Sequence, residues 1–262
     1  MNHARINVGL QGVAIAERAY QGAVHYAKER VQSGRIIGHA DVRRMLMTLK
    51  STTEATRALA YLNAAAVDRA HATGDLEAQA LADLLTPVTK GYATDMGVEM
   101  SSLAVQVFGG MGFVEEAGAA QHMRDARIAP IYEGTNGIQA LDLVGRKLPQ
   151  GAWKTLFADM RADIGLLGTH GDLGAMAPYL EDGLAALENA TLWLLGNQGE
   201  AARDAQAGAT PYLRMFGIVT GGWLLAKQAL AAAKGRDGYD PAFLAAKVAT
   251  ARFFVEQIVP QA

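Results

Sequence analysis

The stretch Ile128-Ala129-Pro130-Ile131-Tyr132-Glu133-Gly134-Thr135-Asn136-Gly137-Ile138-Gln139 organises the reading of this chain. Pro130 fixes its own φ and pushes the residue before it toward extended backbone. Thr135 predicts the N-cap of a helix running from about Asn136 to Arg146. Glu133 is therefore expected on a short connection just ahead of a helix N-terminus, between Ile131 and Tyr132 on one side and a glycine on the other. A carboxylate beside apolar side chains loses hydration and gains basicity, which suits a general base. The same spacing also fits a solvated loop glutamate.

Outward from this stretch, nearly every segment reads as helix. From Asn2 to about Arg30, Ile6, Leu10, Val13, Ala16, Tyr20, Val24 and Ala27 recur at three- and four-residue steps. Ser33-Gly34 and Gly38 interrupt the pattern. A second helix is expected from about Asp41, its N-cap, to Ala72, closed by Thr73-Gly74. A third is expected from Asp75 to about Phe108, kinked at Pro87 and stopped by Gly109-Gly110. A shorter helix around Ala120 to Arg127 leads into the quoted stretch.

Leu148-Pro149-Gln150-Gly151 marks a boundary between residues 1–147 and 148–262. Beyond it, helices are expected at about Trp153–Leu167, Pro178–Leu195, Pro211–Ala233 and Pro241–Val259. The resulting expectation is an all-α protein: an antiparallel up-and-down helical bundle, followed by a second helical segment for packing or oligomer contacts. Trp153, Trp193 and Trp223 read as core or interface aromatics.

Composition excludes several function classes. With 24 basic and 26 acidic side chains the net charge is −2, so no basic surface argues for nucleic acid. The chain has no cysteine, which removes disulfides and thiol chemistry and fits a reducing cytoplasm. The six histidines form no metal-binding spacing. The most apolar window, Phe216 to Ala233, is broken by Gly221-Gly222 and Lys227-Gln228, and reads as a packed helix rather than a membrane span.

Four ordered segments carry a family resemblance. Tyr132-Glu133-Gly134-Thr135 with Ile138-Gln139 resembles the active-site segment of the acyl-CoA dehydrogenases. Glu29-Arg30-Val31-Gln32 resembles the Glu-Arg turn after the first long helix of their C-terminal domain. Gln106-Val107-Phe108-Gly109-Gly110-Met111-Gly112 resembles their Gln-x-Phe-Gly-Gly-x-Gly segment. Met123-Arg124-Asp125-Ala126-Arg127-Ile128 resembles the segment just before the catalytic loop.

The resemblance implies an FAD-dependent oxidoreductase of fatty acid metabolism that converts an acyl-CoA thioester to a trans-2-enoyl-CoA. It implies that Glu133 removes the α-proton, that its backbone N–H polarises the thioester carbonyl, and that Gly134 and Arg5 lie near the substrate. It places Thr135, Asn136 and Gly137 against FAD. It places Arg30, Gln32, Gln106, Val107, Phe108, Gly109 and Gly110 against the FAD of a neighbouring subunit, hence a homodimer or higher homo-oligomer. An electron-transfer flavoprotein is the implied acceptor. Arg124 and Asp125 are implied to form a charged pair that fixes the loop.

The family's N-terminal helical and β domains are not legible in this sequence. The chain is therefore expected to be a C-terminal part, either a fragment or a separate reading frame, and to be inactive alone. The competing expectation is a non-catalytic helical oligomerisation or interaction module that keeps the scaffold without the reaction.

Overall fold

The computed structural model describes residues 2–199, 202–235 and 237–262. The periodicity of the first segment produces α1 (Asn2–Glu29), followed by α2 (Ala40–Thr73) and α3 (Leu76–Phe108). Gly74, at φ 68°, ends α2. Asp75 caps α3, accepting from the N–H groups of Glu77 at 2.9 Å and Ala78 at 3.0 Å. Pro87 lies buried inside α3, which continues through it as one helix.

Asp41 is not the N-cap of α2. The helix starts one residue earlier, with His39 at the cap, and Asp41 occupies the first turn. There its carboxylate accepts from Arg44 Nε at 2.7 Å and still complements the positive end of the helix dipole.

The helices α1 and α3 cross backbone against backbone. A Cβ at Gly12 would fall 2.3 Å from the carbonyl oxygen of Ala93, and one at Gly97 would fall 2.9 Å from the Cα of Gly12. Only residues without a side chain permit this approach.

After α3 come a one-turn helix α4 (Gly110–Phe113), α5 (Ala119–Ala126) and α6 (Asn136–Asp142). The expected helix from Asn136 changes character after Asp142. It widens into a π-helical turn at Leu143–Lys147, then tightens into a 3-10 turn at Leu148–Gln150.

The remainder forms α7 (Trp153–Gly168), α8 (Ala177–Gly196), α9 (Ala202–Ala207), α10 (Ala209–Ala233) and α11 (Pro241–Gln257). The short α9 had no sequence expectation. No strand occurs among the described residues, so the architecture is all-α.

Two apolar clusters organise the packing. The larger joins Leu59, Leu84 and Tyr92 of α2 and α3 to Phe157, Phe216 and Phe254 of α7, α10 and α11. The smaller joins α1, α2 and the last turns of α3 through Ala23, Leu49, Met100 and Val107. Each fully buried Leu or Phe contributes about 1.5–3 kcal/mol relative to exposure. The larger cluster therefore ties residues on both sides of Gly151 into one core.

By length and composition α10 could cross a membrane, but 72% of its most apolar window is buried. Its face is spent on α2, α3 and α11. Trp153 and Trp223 are core residues, whereas Trp193 is half exposed.

Candidate active site

The loop before α6 is built from its backbone outward. The N–H groups of Ile131 and Tyr132 both return to the carbonyl of Ile128, at 3.0 and 3.2 Å, and that of Asn136 returns to Pro130 at 3.0 Å. Thr135 caps α6, its hydroxyl accepting from the Ile138 N–H at 3.4 Å.

Inside this turn Glu133 has φ 55°. Left-handed backbone costs a non-glycine residue about 1–2 kcal/mol, so the surroundings must hold it there. Gly134 follows at φ 83°.

Buried donors face the turn. The Lys90 ammonium donates to the carbonyl of Gly134 at 2.8 Å and to Asn136 Oδ1 at 2.9 Å. Gln139 Nε2 donates to the same Gly134 carbonyl at 3.1 Å and to that of Glu133 at 3.4 Å. Asn136 Nδ2 donates to the Gly91 carbonyl, Thr94 Oγ1 and Asp95 Oδ1 at 3.0, 2.9 and 2.7 Å.

Lys90 is fully buried and Gln139 equally so. Burial pulls the Lys90 ammonium down to about 8, opposed chiefly by the Asp95 carboxylate. Burial pushes Asp95 up, opposed by its hydrogen bond from Asn136.

The consequence is a turn whose carbonyls point inward. Among the described residues no protein acceptor takes the Glu133 N–H. Glu133, Gly134 and Thr135 are exposed, and Tyr132 is anchored by its hydroxyl donating to Gln11 Oε1.

The expected apolar surroundings of Glu133 are therefore not assembled by this chain. Ile131 points outward, 48% exposed. Nothing in α1–α11 lies over the carboxylate to shield it.

Arg5 is held by an ion pair within the chain. Its guanidinium bonds Asp142 Oδ2 at 2.9 Å, and Arg146 approaches the other oxygen at 3.3 Å. Asp142 is almost fully buried, and a buried carboxylate requires such pairing. Arg124 and Asp125 do not pair with each other. Arg124 donates to Glu115, while Asp125 accepts from Gln121 at 2.7 Å. Both side chains are exposed and reach along their own surface, not toward the loop.

The remaining expected residues gather at the far end of the bundle. The C-termini of α1 and α3 meet where Tyr26 stacks on Phe108, with ring centroids 4.3 Å apart. Arg30 and Gln32 are exposed there, beside Gln106, Gly109 and Gly110. The Gln32 carbonyl accepts from His39 Nε2 at 2.9 Å. Nothing lies within 4 Å of where a Cβ on Gly109 or Gly110 would sit. Val107 is a core residue, so its side chain faces α1 and not solvent. A groove of about 470 Å³ opens beside Phe108, lined also by Arg18, Gly22, His25, Gly118 and His122.

The structure thus separates the expected residues into two groups. Gln11 touches Tyr132, while Arg30 follows the end of the same helix. At about 1.5 Å of rise per residue, that is a separation of about 28 Å. Glu133, Gly134, Thr135, Asn136 and Gly137 form one group with Lys90. Arg30, Gln32, Gln106, Phe108, Gly109 and Gly110 form the other.

Lys90, Thr94 and Asp95 carry no functional signal in the sequence, and Gln139 stands there only as the last residue of the resemblance motif. A lysine at 90 reads as one more helix charge, and only its neighbours Val88, Gly91, Tyr92 and Ala93 hint that its face is buried. No group of three potential metal ligands exists among the described residues.

Comparison with known proteins gives concordant matches along the chain. The family described as "Acyl-CoA dehydrogenase, C-terminal domain" matches residues 1–148, and the one described as "Acetyl-CoA dehydrogenase C-terminal like" matches residues 156–262. The 3-methylmercaptopropionyl-CoA dehydrogenase of Ruegeria pomeroyi is 44% identical, over 99% of this chain and 47% of its own.

Two solved structures share the fold. One is Caenorhabditis elegans ACDH-11 in complex with C11-CoA (TM-score 0.81, 22% identity, 98% of this chain and 43% of that one). The other is an acyl-CoA dehydrogenase from Bacillus anthracis complexed with FAD (TM-score 0.79, 19% identity, 99% of this chain and 47% of that one). The chain spans about half the length of the relatives it matches.

Proposed function

This chain belongs to the acyl-CoA dehydrogenase family, and from that membership we propose that it is the C-terminal, base-carrying part of an FAD-dependent acyl-CoA dehydrogenase. Glu133 removes the α-proton of an acyl-CoA thioester, and the product is a trans-2-enoyl-CoA. FAD, when bound, accepts the β-hydride.

One observation carries the reading. Glu133 is held in left-handed backbone with the carbonyls of Glu133 and Gly134 turned inward, which leaves its carboxylate exposed and, among the described residues, its N–H without a protein acceptor. A proton acceptor and an N–H donor on one residue suit an enolate-forming step, because the donor stabilises charge developing on the thioester oxygen. Gly134 gives the substrate room beside that donor. Arg5, bonded to Asp142, orders the adjoining surface.

The residues fit FAD at both groups. Thr135 and Gly137 are exposed next to Glu133, while the Asn136 side chain is committed inward, so its contact with the cofactor falls to its backbone. At the far end Arg30 offers an exposed guanidinium for a pyrophosphate. Gln32, Gln106, Phe108, Gly109 and Gly110 offer polar and open surface, and Val107 can contribute only its backbone.

About 28 Å separates the groups, which supports two copies meeting, each completing the other's cofactor site. We propose a homo-oligomer on this basis. We further propose an electron-transfer flavoprotein as acceptor, two units at 1–147 and 148–262, and no turnover by these residues alone, because nothing in them covers Glu133.

The test is turnover of acyl-CoA, with FAD, by a full-length or reconstituted acyl-CoA dehydrogenase that contains these residues. Glu133→Gln should lower kcat at least a thousandfold while flavin absorbance is retained. Retained turnover would refute the base assignment, whereas a wild-type protein that neither holds flavin nor turns over acyl-CoA would favour a helical interaction module.

A further inference from the structure

We infer that Lys90 is a positioning residue: its buried ammonium holds the Glu133 turn in its left-handed conformation. The inference concerns the turn itself, and its consequence for turnover rests on the reading of Glu133 as the base.

Lys90 lies in the middle of α3, fully buried, 44 residues before Gly134 in sequence. Among the described residues its two hydrogen-bond partners are Gly134 O and Asn136 Oδ1, both on the turn. An ammonium in the interior must be hydrogen-bonded, because an unpaired buried charge is far costlier than a strained dihedral.

If Glu133 relaxed out of left-handed backbone, the Glu133–Gly134 peptide would rotate away from Gln139 and carry the Gly134 residue with it. The Gly134 carbonyl would then leave Lys90, and the cation would lose one of its partners. The strain at Glu133 is therefore tied to a buried charge that would lose one of its two hydrogen-bond partners.

Asn136 completes the lock from the other side. Its amide group is oriented by the Gly91 carbonyl, Thr94 and Asp95, so its oxygen is presented to Lys90. Gln139 alone cannot do this work. It is neutral, and its bonds to the two carbonyls are longer, at 3.1 and 3.4 Å.

The experiment is hydrogen exchange on the purified gene product and on Lys90→Met, with turnover measured alongside. The expected result is at least tenfold faster exchange at the hydrogen-bonded amides of Ile131, Tyr132 and Asn136, with α7 and α10 unchanged. The accompanying expectation is a tenfold or greater fall in kcat, with KM within threefold and flavin content unchanged.

Unchanged exchange in the turn overturns the inference. So does acceleration spread across the whole chain, which makes Lys90 a general stability residue. Lys90→Gln, which keeps an N–H donor without the charge, should fall between wild type and Lys90→Met. Failure of both variants to fold also overturns the inference. If Glu133→Gln keeps its turnover, the base reading fails, and the exchange result still decides the role of Lys90.

Discussion

The backbone of Gly217 lies against the ring of Tyr92: a Cβ at position 217 would come within 2.3 Å of the ring's Cγ. Tyr92 belongs to α3 and Gly217 to α10, so this contact joins residues on either side of Gly151. Tyr92 is buried and is among the largest side chains of the core. Gly217→Ala should destabilise by at least about 3 kcal/mol, at the upper end of overpacking effects, since neither a ring nor a helix backbone can give way by an ångström. Urea unfolding checks this. Tyr92→Leu should partly rescue it in the double variant, and a loss below about 1 kcal/mol would show that α10 can slide on α3.

Glu54 provides a polar counterpart. Its carboxylate on α2 accepts from Lys247 on α11 at 2.8 Å and pairs with Lys50 on its own helix. Burial would raise Glu54, but the hydrogen bonds and charges of Lys247 and Lys50 outweigh it and hold the carboxyl below its usual range. Its contribution is thus present above the unfolded carboxylate pKa and is lost as pH falls through the lower, folded value. Glu54→Gln should destabilise by about 1–3 kcal/mol at neutral pH. The difference from wild type should shrink below about pH 4, which acid-range thermal melts can follow.

Lys90 gives the same sign of pH dependence in a more alkaline window. Its folded value, about 8, lies below the ordinary 10.5. Between those two values the unfolded chain holds more of this proton than the folded one, so folding stability rises with pH. The stability difference between wild type and Lys90→Met should therefore move in favour of wild type from about pH 8 to about pH 10.5, by an amount on the order of 3 kcal/mol. Parallel urea curves for the two proteins cancel the other titrating groups. A flat difference would show that Lys90 is no less basic in the fold than in water.

The turn at Glu133 predicts a trade between stability and activity. Glycine takes φ 55° without steric cost, so Glu133→Gly should raise unfolding free energy by about 0.5–1 kcal/mol after the extra chain entropy is counted. Under the proposed function, turnover should be lost. Stability that falls instead would mean the Glu133 side chain supports the fold through contacts not visible in this chain.

Much of the fold was legible because its signals are local. The three- and four-residue apolar steps of α1, the Asp75 cap, the Gly74 stop and the Thr135 cap each act over a few residues of chain. Position Glu133 was legible for a similar reason, since Pro130, Gly134 and Thr135 flank it closely. Asp41 shows the limit: either of two adjacent residues can begin a helix, and local sequence does not choose between them.

What only the tertiary structure decided lies in contacts between distant residues. Arg5 meets Asp142 across 137 positions, Lys90 meets Gly134 across 44, and Glu54 meets Lys247 across 193. Sequence by itself determined which long segments are helical and which loop carries the carboxylate. Whether that carboxylate is exposed, which cation holds its turn, and that one core spans both halves depend on which helix faces come together. Burial of a charge or a ring is a property of the packed chain, not of its neighbours in sequence.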